Sequence, residues 1–129
     1  MTAIMIVSGL FSTMNVWADK WDHIRLSVND LYMIFLMTGW MLFFMGVYES
    51  SKAATLVGTL LVVFCLYGIR TQLFVTERQF LLGMIPHHSM AVHMSKKLQE
   101  RSNTIPDLLR TIIQSQENEI RYMVSRTKD

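Results

Sequence analysis

The chain has 129 residues, of which 51% are apolar and 17% charged, and its formal net charge is +2. This length fits one small domain, or a membrane anchor that carries a small domain. The low net charge of mixed sign excludes the basic footprint of a nucleic-acid-binding protein. The lone cysteine, Cys65, excludes an intrachain disulfide. A CxxC pair, a Gly-rich phosphate loop and a serine-nucleophile elbow are all absent from the sequence, so we expect no enzyme activity.

The first apolar segment covers residues 1–17. We favour a shortened first membrane helix here, because a signal peptide normally begins with a basic region that this segment lacks. Cleavage after Ala18 is the alternative, since Val16-Trp17-Ala18 has the small residue that a cleavage site needs. The following polar loop, 19–29, holds Trp21 and His23 near a membrane interface, where tryptophan is common.

Two longer segments, Leu31–Tyr48 and Ala53–Ile69, contain no charged residue and are just long enough to cross a bilayer. A tight turn at 49–52 makes the second run back antiparallel to the first. Ala54 and Gly58 form a small-xxx-small pair that lets helices approach closely. Four methionines repeat every fourth residue in the first span, and we favour gap filling over a path for a soft cation. These methionines are Met33, Met37, Met41 and Met45.

The second half of the chain predicts a helical hairpin. One helix runs from about Thr76 to Arg101, and Pro86 either kinks it or starts a new helix. The other helix runs from Pro106 to about Arg126. No segment alternates with period two, so we expect no strands. The predicted organisation is an anchor of two to three transmembrane helices at 1–70 and a His/Met-rich hairpin domain at 71–129.

The hairpin carries an unusual cluster of histidine and methionine. Three of the four histidines and three of the eleven methionines fall between Met84 and Met94. Imidazole and thioether together suit a soft or borderline metal, above all copper. At 100° per residue, we expect an inward stripe on the first helix, with His93 pointing away from it. That stripe comprises His87, Met90, Ala91, Met94 and Leu98, with Met84 at its edge and His88 beside Met84.

The second helix is expected to face this stripe with two polar residues, Gln116 and Glu119, at positions where hydrophobic side chains are typical. A buried carboxylate is costly unless it is paired or binds a metal. The structural alternative is that Glu119 pairs with a histidine, with Lys96 or with Lys97. The predicted metal ligands are His87, His88, Met84, Met94, Met123, Glu119, Gln116 and Met90.

Two motifs carry a resemblance to a known family. Phe80-Leu81-x-x-Met84-Ile85-Pro86-His87-His88-Ser89-x-Ala91-Val92-x-Met94 and Ile112-Ile113-x-x-Gln116-x-x-Glu119-Ile120-x-x-Met123 resemble the signature of the Domain of Unknown Function 305 family, in its membrane-anchored type. The resemblance implies a ferritin-like helical fold and a link to copper binding and tolerance outside the cytoplasm. Met90 and the extra His93 depart from the family pattern.

We therefore expect an all-α protein that sequesters or relays copper at a membrane. Its partners would be membrane lipid, the copper ion and further copies of itself, because one hairpin buries little surface, and not nucleic acid. The alternatives are a ferritin-like redox enzyme subunit and a structural membrane subunit without metal. We expect the hairpin to face the periplasm or the outside of an inner or plasma membrane. The positive-inside rule favours the reverse, because Lys20, Arg25, Arg70 and Arg78 lie on the hairpin side.

Overall fold

A computed structural model describes residues 1–128, and all of its regular structure is helical. Five α-helices follow one another, with two short 3₁₀ turns at Met14–Trp17 and Trp21–His23. The helices are α1 (Thr2–Leu10), α2 (Val28–Tyr48), α3 (Lys52–Thr71), α4 (Glu77–Gln99) and α5 (Pro106–Thr127). No strand occurs in this part of the chain, so the all-α prediction is confirmed.

The chain forms two compact units that are discontinuous in sequence. The first comprises residues 1–13 and 28–75, and the second comprises 14–27 together with the hairpin from Thr76 onward. The sequence analysis placed a single boundary at 70/71. The difference lies in residues 14–27, which precede the first long apolar helix but pack with the hairpin.

Close contact between α2 and α3 holds the first unit together. Added Cβ atoms at Gly39 and Gly58 would lie 2.9 Å from Val62 Cγ2 and 2.4 Å from the backbone nitrogen of Phe43 respectively, so only glycine fits there. At the open end of this helix pair, the Tyr32 hydroxyl donates to the Leu73 carbonyl at 2.6 Å. The beginning of α2 and the end of α3 therefore lie together.

Two helices of this unit, α2 and α3, are long and apolar enough to cross a membrane. Only 28% and 22% of their apolar windows are buried, so most of their apolar surface faces outward. By contrast, α1 has nine residues, which extend about 14 Å against a hydrocarbon core of about 30 Å. The third membrane-crossing helix expected at 1–17 stays a prediction, and two helices in the described part of the chain are candidate spans.

The second unit is built around the α4–α5 hairpin. The Thr76 side chain caps α4 by accepting a hydrogen bond from the Gln79 amide, and Pro106 begins α5. Pro86 lies inside α4 without ending it, so the predicted fresh helix start is wrong. The core comprises Ile85, Val92, Ile120 and Met123.

Candidate metal centre

The buried face of α4 differs in phase from the predicted one. Its buried residues are Ile85, Pro86, Ser89, Val92 and Ser95. The expected inward stripe is largely exposed, because His87 lies on the surface and Met94 and Leu98 are 51% and 38% exposed. Apolar residues recur at helical spacing on two faces of α4, so periodicity alone does not identify the buried face. Residues 14–27 cover the face that carries the small side chains of Ser89 and Ser95.

The partner helix shows the same shift. Leu109, Ile120 and Met123 are the buried residues of α5, and Gln116 is half-buried. The Glu119 side chain is 52% exposed, so the expectation of a buried carboxylate is wrong, and Glu119 pairs with a histidine, as the structural alternative had it. Glu119 lies instead at the rim of the hairpin, where it can reach both α4 and solvent.

His88 and Glu119 nevertheless meet across the hairpin. The Nε2 atom of His88 lies 2.6 Å from Oε2 of Glu119, and the His88 side chain is 12% exposed. The other ring nitrogen, Nδ1, lies 2.9 Å from the Met84 carbonyl oxygen one helical turn earlier. Ser115 donates a hydrogen bond of 3.2 Å to the second carboxylate oxygen, Oε1. Both side chains are thus oriented by bonds within their own helices.

These contacts determine where hydrogen lies on the His88 ring. A carbonyl oxygen can only accept, so Nδ1 carries a hydrogen that it donates to Met84. In a neutral ring, Nε2 then presents its lone pair, and it faces a carboxylate oxygen that also accepts. The 2.6 Å contact is therefore a hydrogen bond in which Nε2 and Oε2 share one hydrogen. A metal ligand histidine is commonly held in this way, through its second ring nitrogen.

The other predicted ligands occupy different environments. The His87 ring is exposed, and its centroid lies 6.0 Å from that of His88. Met84 packs partly buried against the core, Met90 is half-buried, and Met123 belongs to the core itself. Among residues 1–128, no three His, Cys, Asp or Glu side chains lie close enough to hold one ion.

A second polar cluster lies on the opposite, covered face of α4. Ser89, which is fully buried, accepts a hydrogen bond of 2.7 Å from the Asp19 backbone amide. Its hydroxyl also lies 2.8 Å from Nδ1 of His23. Burial, and then the charge of Lys20, lower the pKa of His23, which favours the neutral ring. The serine of the His-His-Ser motif thereby fixes residues 14–27 to the hairpin.

Lys96 completes this cluster with two ion pairs. Its ammonium lies 2.8 Å from Asp19 Oδ2 and 3.0 Å from Glu117 Oε1. Hydrogen bonds to Asp19 and then to Glu117 raise the pKa of Lys96. His93 lies at the margin, with Nδ1 4.0 Å from Asp19 Oδ1. His93 therefore belongs to a different environment from His88, in agreement with the expectation that it leaves the predicted stripe.

The sequence analysis missed Ser89, Asp19 and Glu117 as members of a connected site. One signal was available, because Ser89, Val92 and Lys96 lie at helical spacing and mark a face with small and polar side chains. Asp19 lies 77 positions before Lys96, and no local pattern links the two residues.

Comparison with known proteins agrees with the two motifs. Residues 69–126 match the family profile described as Domain of unknown function (DUF305). The chain is 42% identical to "Uncharacterized protein L153" of Acanthamoeba polyphaga mimivirus over 132 aligned positions, which cover 97% of this chain and 87% of the relative. No solved structure matches the chain. The chain belongs to the DUF305 family, and its profile-matched region contains the His88–Glu119 pair.

Proposed function

We propose that this chain is a membrane-anchored metal-binding protein, and that copper is the metal. The observation that carries the proposal is the contact between His88 Nε2 and Glu119 Oε2, at 2.6 Å, with Nδ1 already committed to the Met84 carbonyl. This arrangement brings an imidazole nitrogen and a carboxylate oxygen together across the hairpin, where both could ligate one ion. The proposal assigns binding to the chain and no reaction.

The donor chemistry of the site supports this reading. His88 offers an imidazole nitrogen and Glu119 an anionic oxygen. The exposed side chains of His87 and Met94 lie on the same helix within two turns of His88. Imidazole and thioether favour copper over hard cations such as Mg²⁺ and Ca²⁺. Imidazole and carboxylate bind metal ions in their deprotonated forms, so copper binding here would weaken as the pH falls.

A second copy of the chain is part of the proposal. Two oriented side chains are fewer than the three or four ligands that copper sites in proteins use. The outer face of the hairpin exposes His87 together with apolar side chains, among them Met94, Leu98 and Leu108. Pairing two such faces would bury apolar surface and bring two sets of ligands together, as in a four-helix bundle. The ferritin-like arrangement stays a prediction that depends on this pairing.

The anchor in this proposal is the α2–α3 pair, whose outward apolar surface suits lipid better than water. Residues 14–27 and the hairpin form one compact unit, and they flank the two spans on either side in sequence. They therefore occupy the same side of the membrane. The outward location of the hairpin remains a prediction that labelling must test.

Competition titration with Cu(I), on the full-length protein in detergent, tests the proposal. His88→Ala and Glu119→Gln should each weaken copper binding, and His88→Ala should do so by about tenfold or more, since even outer-shell changes cost about 10–100-fold. His93→Ala is the matched control, because it removes an imidazole from the same helix outside the pair. Equal losses at His88 and His93, or no loss at His88, would refute the assignment.

A further inference from the structure

A groove on the second unit has no part in the proposed metal centre. It has a volume of about 680 Å³ and lies between residues 20–25 and the last turns of α5. Its lining combines basic side chains with an indole and a hydroxyl. The polar lining residues are Lys20, Trp21, Asp22, His23, Arg25, Arg121, Ser125 and Lys128.

The charge of this groove is strongly one-sided. Lys20, Arg25, Arg121 and Lys128 contribute four positive charges, against one carboxylate, that of Asp22. The ion pairs formed within residues 1–128 all use other cations or His. Within the described residues, the lining of the groove therefore holds more basic than acidic side chains.

The contacts of the two arginines orient them and do not neutralise them. Nη1 of Arg25 donates to the backbone carbonyls of Asp22 and Ile24, both at 2.7 Å. Arg121 donates to the side-chain oxygen of Asn118, which is a neutral amide. An anion in the groove would meet donors that are already oriented.

The covalent chain ties this groove to the anchor. Arg25 lies three residues before Val28, where α2 begins. Trp21, which lines the groove, is 88% exposed. Exposed tryptophan and basic residues next to a membrane span are typical of the headgroup layer.

We propose that this groove binds a phosphate group, and that the phosphate is carried by the headgroup of an anionic phospholipid. The inference rests on the anchoring part of the proposed function and is independent of the metal centre. Basic side chains supply charge and donors to the phosphate oxygens. The indole of Trp21 and the stems of the lysines would lie against the glycerol and upper acyl region.

The test uses the full-length protein in a non-ionic detergent and native mass spectrometry. Dioctanoyl phosphatidylglycerol, dioctanoyl phosphatidylcholine and inorganic phosphate are titrated separately. The groove variant is Lys20→Gln with Arg121→Gln. The control variant, Arg101→Gln with Arg110→Gln, removes the same charge from the surface of the same unit. We expect the groove variant to bind phosphatidylglycerol about tenfold more weakly or worse, because each basic residue near an anionic lipid contributes about fivefold.

The arms separate the possible outcomes. Tighter binding of phosphatidylglycerol than of phosphatidylcholine, lost only in the groove variant, supports the proposal. Tight binding of inorganic phosphate with no preference for lipid would assign the groove to a free anion and overturn the lipid source. Equal losses in both variants, or none, would overturn the site. The groove variant should bind copper as tightly as the wild-type protein. A wrong assignment of the lipid site can therefore be distinguished from a wrong assignment of the metal centre.

Discussion

Lys96 and Asp19 form an ion pair of 2.8 Å although 77 positions separate them in the sequence. The same ammonium reaches Glu117 on α5 at 3.0 Å, so one side chain connects α4, α5 and the segment that precedes the first span. The Asp19 side chain is only 14% exposed. Removal of Lys96 would therefore leave a poorly solvated carboxylate without its partner.

We predict that Lys96→Met lowers the free energy of unfolding of the second unit by about 1–2 kcal/mol. This is the cost of losing a hydrogen bond to a charged group, reduced because the lysine is partly exposed to solvent. Lys97→Met is the matched control. Lys97 pairs with Glu100, and both side chains are more than half exposed. Thermal unfolding followed by circular dichroism should show a clear loss only for Lys96→Met. Equal shifts in both variants would contradict the bridging role.

A second prediction concerns acid. The pKa of His23 is lowered in the fold, by burial and then by Lys20, so the unfolded chain binds a proton more readily than the native one. Stability from this residue is present above the ordinary histidine pKa of about 6.5 and is lost as the pH falls through the lowered pKa. His23→Asn keeps a hydrogen-bonding side chain for Ser89 but does not titrate in this range. As the pH is lowered from 7.5 to 5, the free energy of unfolding should therefore fall less in this variant than in the wild-type protein. If the free energy of unfolding depended on pH in the same way in both proteins, His23 would not contribute to the acid sensitivity.

A third prediction concerns the helix pair of the anchor. A Cβ atom at Gly58 would lie 2.4 Å from the Phe43 backbone nitrogen and 2.7 Å from the Gly39 carbonyl oxygen, and backbone cannot move aside cheaply. Gly58→Ala should therefore separate α2 from α3 and increase protease sensitivity at the 49–51 turn. Val63→Ala, at a position 59% exposed, is the control and should leave the digestion pattern unchanged. An intact pattern in both variants would argue against close helix contact.

A fourth prediction concerns topology. In a Cys65→Ser background, cysteines at Asp22 and Ser125 should react alike with a membrane-impermeant thiol reagent, because two spans return the chain to its starting side. A cysteine in place of Glu49, between the two spans, should lie on the other side of the membrane and show the opposite labelling. We expect the first two to label in intact cells, in line with an outward hairpin. Different labelling at 22 and 125 would refute two spans, and labelling only after lysis would refute the outward orientation.

Most of the fold could be predicted from local sequence patterns. The uncharged stretches, the turn at 49–52, the N-terminal threonine of α4 and the proline that begins α5 each depend on chemistry within a few residues. The apolar composition of residues 1–17 does not reveal that α1 ends at Leu10 and that a 3₁₀ turn follows at Met14–Trp17.

The sequence predicts which residues of the candidate site meet, but not which face of α4 is buried. His88 and Glu119 do meet, as the motif spacing suggested, yet they meet at the rim of the hairpin and not in its core. Helical periodicity could not choose between two apolar faces of α4. The choice was made by residues 14–27, which cover the face with Ser89 and Lys96 through contacts that span about half the chain.

The most direct test of the metal centre identifies the nitrogen atom that binds copper. Long-range ¹H–¹⁵N spectra of the histidine rings, recorded on the full-length protein in detergent, separate Nδ1 from Nε2 in each ring. His88→Ala and His93→Ala spectra assign the signals. On addition of Cu(I), we predict that the Nε2 signal of His88 shifts while Nδ1 keeps its hydrogen and its bond to the Met84 carbonyl. A shift at Nδ1, or a His88 ring unchanged by copper, would contradict it.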